Sequence, residues 1–143
     1  MAGDETSCVN QEHLPLHINM SSTRKTLVKK ADKAFSNYIK ARDGYRCVVC
    51  GSTNRVAAGH LLSRVAYSTR WDETQVFAQC SSCNFLHEQN PGPFTAWYLK
   101  KFGADKYLDL EQRYRLTRKW KDWELEELIK KYEDKLHGLT NML

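Results

Sequence analysis

Residues 47–64 read CVVCGSTNRVAAGHLLSR, and residues 80–88 read CSSCNFLHE. Each stretch contains two cysteines separated by two residues, a spacing typical of a zinc knuckle. Zn2+ binds four thiolates as a tetrahedron, and such a site has no coordination position left for a substrate. The two pairs therefore predict one structural zinc; the alternative is four buried thiols without metal. The predicted zinc ligands are Cys47, Cys50, Cys80 and Cys83.

Short apolar runs follow the first cysteine pair and precede the second. RVAAGHLL at 55–62 and TQVFAQC at 74–80 both suit brief strands, and the polar stretch between them suits a loop. After Cys83 the pattern becomes helical. This order predicts a hairpin that is clasped by zinc and followed by a helix.

His60 ends the first apolar run, and the predicted zinc does not need it as a ligand. A helix that begins near Cys83 would place Asn84 and Glu88 at i and i+4, with His87 at i+3 on an adjoining part of one face. Because the zinc ties the two cysteine pairs together, His60 would lie near Asn84. The pattern thus predicts a cluster of nitrogen and oxygen donors beside a histidine.

Such a cluster favours a second, harder cation. Mg2+ or Mn2+ prefers carboxylate, amide oxygen and water, and pairs with substrate phosphate. An imidazole beside that ion can take a proton from an attacking water, because its pKa is close to neutral pH. This combination predicts hydrolysis of a phosphodiester. The alternative is that His60 is a buried histidine at a strand end, without chemistry.

The net charge of +5 is concentrated in one third of the chain. Residues 23–70 contain 11 basic residues and two acidic ones, whereas residues 1–22 carry a charge of −3 and residues 71–143 of −1. Clustered Lys and Arg favour a polyanion partner, because they release counterions from phosphates. A solvated helix face is the alternative explanation.

The length of 143 residues indicates a single domain. We predict a disordered tail at 1–21, in which Cys8 is a bystander, and one domain at 22–143. Within that domain we expect a basic amphipathic helix at 22–44, the zinc-stabilised core at 45–92 and a helical extension at 93–138. Core-facing stripes of the extension are predicted at Phe94, Trp97, Tyr98, Leu108, Leu110, Trp120, Trp123, Leu125, Leu128, Ile129 and Tyr132.

No run of the sequence approaches the roughly 18 apolar residues of a membrane span, and its first residues lack the order of a signal peptide. We therefore expect a cytoplasmic protein without a membrane partner.

A strand that ends in Gly-His, a hairpin loop and Cys-x-x-Cys-Asn at a helix start resemble the HNH, or His-Me finger, nucleases. A closer resemblance is to the phage-lambda NinG family, also called Rap, of recombination endonucleases. The resemblance covers residues 25 to about 137 in the same order with similar gaps. It is carried by KKADKAFSNYIKARDGYRCVVCGS, AAGHLLSR, TRWDETQVFAQCSSCN and YLKKFGADKYLDLE.

The resemblance implies an α+β fold with a ββα-metal core and cleavage of branched recombination intermediates, such as D-loops and Holliday-type junctions. It implies that His60 is the general base and that Asn84 binds Mg2+ or Mn2+. Gln75 falls where the middle asparagine of HNH holds the hairpin loop, which is a departure. Gly59 falls where many HNH enzymes carry a metal ligand. On geometry, the missing ligand is expected from Glu88, His87 or Asp72, in that order.

The implied reaction leaves 5′-phosphate and 3′-hydroxyl ends in the cytoplasm of a phage-infected bacterial host. Its expected partners are DNA, a second copy of the chain if a junction is nicked symmetrically, and phage or host recombination proteins. Two alternatives remain: a zinc-stabilised DNA-binding module without activity, and an HNH nuclease that cuts linear duplex at a sequence. Recognition by shape predicts phosphate contacts rather than base contacts. These contacts are expected from Lys25, Lys29, Lys33, Arg64 and Arg70.

Overall fold

A computed structural model describes residues 23–141 of the chain. The predictions for the tail at 1–21 and for Cys8 lie outside this described part. Five helices surround one two-stranded antiparallel sheet, so the predicted α+β class is confirmed for the described residues. The elements are α1 at 23–42, β1 at Ala57–His60, β2 at Val76–Gln79, α2 at Ser81–Gln89, α3 at Gly92–Phe102, α4 at Ala104–Tyr114 and α5 at Asp122–Asn141.

The sheet is the predicted hairpin, and its register divides its side chains between two faces. Ala58 pairs with Ala78 and His60 with Val76, while Gly59 pairs with Phe77. Because side chains alternate along a strand, His60 and Val76 share one face of the hairpin, and Gly59 lies on the other.

Each face of the hairpin packs against its own group of helices. Val76 belongs to a core cluster with the apolar stripe of α1 and with Leu125, Leu128 and Tyr132 of α5. Phe77 belongs to a second cluster, which includes residues of α3 and α4. The hairpin is therefore the middle of three layers. The buried residues of the α1 stripe are Leu27, Ala31, Ala34, Phe35 and Ile39.

Helix α2 starts two residues earlier than the predicted start near Cys83. The helix begins at Ser81, and Cys80 is its N-cap. The thiol of Cys80 accepts a hydrogen bond from the Cys83 backbone N–H at 3.4 Å, which satisfies one amide of the first turn. A cysteine therefore does here what serine or aspartate does at most helix starts.

The prediction that two residues of the helical extension face the core is wrong. Leu108 and Trp123 are each 55% exposed. Helical spacing allowed more than one apolar stripe on α4 and α5, and the buried stripes run through Leu110 and through Leu125. None of the helices in the described part is long and apolar enough to cross a membrane.

Candidate functional site

The four predicted zinc ligands lie together. Their Sγ atoms are all within 4.8 Å of one another, and those of Cys50 and Cys80 are 3.6 Å apart. A tetrahedral zinc with Zn–S bonds of about 2.3 Å needs S–S edges of about 3.8 Å. The cluster therefore fits a metal ion such as Zn2+.

Local backbone geometry forms the first of the two cysteine turns. The N–H of Gly51 donates to the Cys47 carbonyl at 2.9 Å, and Gly51 has a φ of +83°, which glycine adopts without strain. The N–H of Val48 donates to the Ala78 carbonyl of β2 at 2.9 Å. This bond fixes the first cysteine pair against the strand that leads to the second pair.

The thiols of the cluster differ in how readily they ionise. Burial opposes ionisation of Cys47, but hydrogen bonds from the backbone amides of Cys50, Cys80 and Val49 outweigh it and lower the Cys47 pKa to about 7. Burial, followed by hydrogen bonding with the other thiols, raises the pKa of Cys83. Four adjacent thiolates repel one another, so a bound cation is what would allow all four to ionise.

His60 is held by its Nε2 atom at the end of β1. Nε2 lies 2.8 Å from the Arg70 carbonyl oxygen, which can only accept, so Nε2 carries the proton. Burial lowers the pKa of His60, and the positive charges of Arg64 and Arg70 act in the same direction. The neutral ring therefore keeps a lone pair on Nδ1 with which to accept a proton.

Gln75 closes the loop that carries this carbonyl. Its side chain is fully buried, with Oε1 accepting from the Leu62 N–H at 2.7 Å and Nε2 donating to the Thr69 carbonyl at 2.8 Å. Leu62 lies two residues after His60, and Thr69 directly precedes Arg70. Gln75 thus holds both ends of the loop, which supports the positioning role implied for it.

Asp32 of α1 anchors the same loop from the other side. Its carboxylate accepts two hydrogen bonds from the Arg70 guanidinium, at 2.9 and 2.6 Å, and one from the Trp71 indole at 2.9 Å. The side chain of Arg70 is only 12% exposed. The Arg70 guanidinium is therefore engaged with Asp32 and fixes the carbonyl that holds His60, while its predicted phosphate contact stays a prediction.

A cleft of about 520 Å³ opens beside His60. It brings His60 together with three of the predicted cation ligands and with one predicted phosphate contact. These residues are Asn84, His87, Glu88 and Arg64.

Asp72, the fourth candidate ligand, does not line this cleft. Its carboxylate is ion-paired with Arg113 of α4 and accepts hydrogen bonds from the N–H of Thr74 at 2.9 Å and its hydroxyl at 2.6 Å. The structure therefore does not bring Asp72 together with the other candidate ligands.

His87 contributes to the cleft but is fixed against the hairpin. Its Nε2 donates to the Leu61 carbonyl at 2.9 Å, and its ring packs edge-on against Phe94 with centroids 4.9 Å apart. The remaining oxygen donors are the amide of Asn84 and the exposed carboxylate of Glu88, one turn apart on α2. Amide and carboxylate oxygens at an open cleft fit a hard cation that keeps several waters.

The exposed lysines Lys25, Lys29 and Lys33 form a basic face on α1. Lys29 and Lys33 border a depression of about 350 Å³ that His60 and Arg64 also line. The side chain of Arg64 is 63% exposed, and its Nη1 lies 4.0 Å from the Asp32 carboxylate. The basic face therefore continues through Arg64 to the cleft, with Asp32 as an acidic group between them.

Gln79 was missed in the sequence. It is fully buried, and neither its Oε1 nor its Nε2 has a partner within residues 23–141. The available signal was an amide side chain inside an apolar strand. The Oε1 of Gln79 stands where the Cβ of a larger residue at position 59 would be, so Gly59 allows this close approach, and any larger residue there would require the Gln79 side chain to move.

The model of the family described as "Bacteriophage Lambda NinG protein" matches residues 10–141. Protein ninG of Escherichia phage 933W is 28% identical over 122 residues, which cover 82% of this chain and 60% of that protein. The ninG proteins of Salmonella phage P22 and Escherichia phage lambda are 27% and 26% identical, over 82% of this chain and 60% and 59% of their own lengths. The chain therefore spans about 60% of the length of the curated relatives. No solved structure matches it.

Proposed function

The chain belongs to the NinG family, and from this premise we propose that it is a metal-dependent endonuclease of the HNH, or His-Me finger, type that cuts branched DNA. One observation carries the proposal. His60 is a neutral imidazole held through Nε2, and it lines a cleft with the oxygen donors Asn84 and Glu88. His60 ends the first strand of the hairpin, and Asn84 and Glu88 lie on the helix that follows the second strand, an order that agrees with the ββα arrangement implied by the resemblance.

In the proposed reaction, Nδ1 of His60 accepts a proton from the water that attacks phosphorus. The Arg70 carbonyl keeps the ring oriented and stabilises the protonated Nε2–H that faces it. Asn84 and Glu88 would hold Mg2+ or Mn2+, which supplies charge stabilisation at the phosphoryl group and at the leaving 3′-oxygen. As the water oxygen bonds to phosphorus, the bond between phosphorus and the 3′-oxygen breaks, and that oxygen takes up a proton from solvent water, which leaves 5′-phosphate and 3′-hydroxyl ends.

The basic face and Arg64 support DNA as the substrate. Both adjoin the cleft, and lysine or arginine beside a cleavage site holds phosphates without reading sequence. Selectivity for branched DNA rests on the resemblance and fits recognition by backbone placement. A dimer and recombination proteins as partners belong to the same proposal.

A DNA-binding module without activity is the second candidate, and one observation favours it. Position 59, where many HNH enzymes carry a metal ligand, is a glycine, and Oε1 of Gln79 occupies the place that a Cβ there would take. A nuclease that has lost its cation would keep the zinc cluster and the basic face while losing cleavage.

Cleavage of a panel of linear, forked, D-loop and four-way DNA with Mg2+ or Mn2+ separates the two candidates. We expect the branched substrates to be cut and His60→Ala to cut them about 100 to 10,000 times more slowly. His60→Ala should retain zinc, melting temperature and junction affinity, and the matched control His137→Ala, an exposed histidine of α5, should cut normally. A folded His60→Ala protein that cuts at the wild-type rate would refute the proposal. Cleavage of linear duplex alone would replace junction selectivity with sequence-specific cleavage.

A further inference from the structure

The side-chain amide of Gln79 makes no hydrogen bond within the described residues. It is the last residue of β2, it is fully buried, and both polar atoms of its carboxamide lack a partner within residues 23–141. Burying an unpaired amide is unfavourable. A methionine would fill a similar volume without that loss. Packing alone therefore does not explain a glutamine at this position.

The amide oxygen of Gln79 is directed towards Gly59 and α2. Gln79 pairs with Ala57, so it shares a face of the hairpin with Gly59. A Cβ placed on residue 59 would overlap Oε1 of Gln79 and would lie 3.1 Å from Oδ1 of Asn84. Two carboxamide oxygens, one from β2 and one from α2, thus converge where glycine leaves room.

We infer that Gln79 is a cation ligand beside Asn84, an inference that rests on the proposed function. Its amide oxygen takes the place of the ligand that Gly59 cannot supply. Amide oxygens are suitable ligands for Mg2+ and Mn2+. Gln79 itself is buried behind the cleft, and Asn84, which lines the cleft with Glu88, connects the two. The cation would therefore sit between the two amide oxygens at the cleft wall, with its waters and Glu88 on the open side, and two neutral amides should bind it weakly.

A small cavity beside Gln79 offers room for a hydrogen-bond partner of its side-chain NH2 group. The cavity has a volume of about 10 Å³, enough for one water, and Gln79 and His87 both line it. Nδ1 of His87 is also buried without a partner in the described part of the chain. A water there would accept from Nε2 of Gln79 and donate to Nδ1 of His87. The Gln79 oxygen is then left for the cation.

Mn2+ binding by the zinc-loaded full chain, followed through the electron paramagnetic resonance signal of free Mn2+, tests the inference without relying on catalysis. Gln79→Met should keep zinc and melting temperature and lose roughly 10- to 100-fold in Mn2+ affinity. Gln79→Glu adds a charge at the same place and should bind Mn2+ more tightly than wild type. The matched control Gln75→Met removes the other fully buried glutamine near the hairpin. It should lower the melting temperature and leave Mn2+ affinity within a few-fold.

The outcomes distinguish the inference from the proposed function. Unchanged Mn2+ affinity in Gln79→Met, or no Mn2+ binding by wild type at millimolar concentrations, overturns the inference. If wild type and Gln79→Met cut branched DNA equally at Mn2+ concentrations below saturation, the nuclease stands and the ligand role fails. If Mn2+ binding depends on Gln79 but wild type cuts no DNA, the ligand role stands and the nuclease fails. Should Gln79→Met not fold, Gln79→Asn withdraws the oxygen by one methylene and should weaken Mn2+ binding likewise.

Discussion

Replacing Gln75 by methionine removes both hydrogen bonds that close the loop around His60. The Thr69 carbonyl would lose its partner in a fully buried setting, which costs about 1–3 kcal/mol. The Leu62 N–H is only partly buried, so water replaces some of its bond and the loss is nearer about 1 kcal/mol. We therefore expect the free energy of unfolding to fall by roughly 2–4 kcal/mol. At about 3 °C per kcal/mol, the melting temperature should fall by about 6–12 °C.

The same substitution should slow cleavage, because the carbonyl that orients His60 belongs to the loop that Gln75 closes. A misplacement of about 1 Å can cost roughly 100-fold in rate. Thermal unfolding with zinc content measured in parallel, and cleavage assayed well below the lower melting temperature, separate the two effects. Gln75→Asn, which is one methylene shorter, should keep one bond and fall between methionine and wild type. A Gln75→Met protein that is as stable and as active as wild type would refute this account of the loop.

Three further predictions concern zinc, DNA binding and pH. Cys80→Ala should leave the chain largely unfolded, because structural zinc supplies about 10 kcal/mol of folding free energy; elemental analysis that finds no zinc in folded, active protein would contradict this. Neutralising the basic face should reduce the slope of log affinity against log salt by about one per lost phosphate contact, with the slope measured by titration at several salt concentrations. The matched control neutralises exposed lysines outside the cleft, namely Lys100, Lys106 and Lys119. The general base must be unprotonated to act, so kcat/KM should rise with pH to a plateau. Because burial lowers the pKa of His60, the midpoint of that rise should lie below the ordinary histidine value of about 6.5. A pH–rate profile measures this midpoint.

The cysteine cluster and the hairpin could be predicted because their signals are local. Two Cys-x-x-Cys pairs specify a tetrahedral thiolate site, and short apolar runs between turn residues specify strands. The grouping of His60 with Asn84 and Glu88 followed from the metal tie between the two pairs, and the structure places all three around one cleft.

Contacts between distant residues could not be predicted in the same way. Arg70 was expected at DNA because arginine is basic, but its partner Asp32 is 38 residues earlier in the chain. Asp72 was expected at the cation because it is acidic, but its partner Arg113 is 41 residues later. The role of a charged side chain depends on its neighbours in space as well as on its residue type, and a single sequence gives only the residue type.

Helical periodicity failed for a related reason. Leu108 and Trp123 repeat at the spacing of a buried stripe, yet the neighbouring elements cover other faces of α4 and α5. Gln79 was missed because a polar residue at a strand end resembles ordinary solvent exposure. Only the close approach over Gly59 reveals that its carboxamide is enclosed.

The thiol of Cys80 belongs to the metal cluster and is also the N-cap of α2, so one sulfur atom connects metal occupancy to helix fraying. Its partner, the Cys83 amide, lies immediately before Asn84. A chelator that removes the metal would therefore loosen the first turn of α2 before it disturbs the packing of α1 against α5. Hydrogen exchange at the Cys83 and Asn84 amides would report this loosening. The first turn of α2 and the cleft beside it would then be the first part of the fold to open when zinc is lost, ahead of the global unfolding that the same loss is expected to cause.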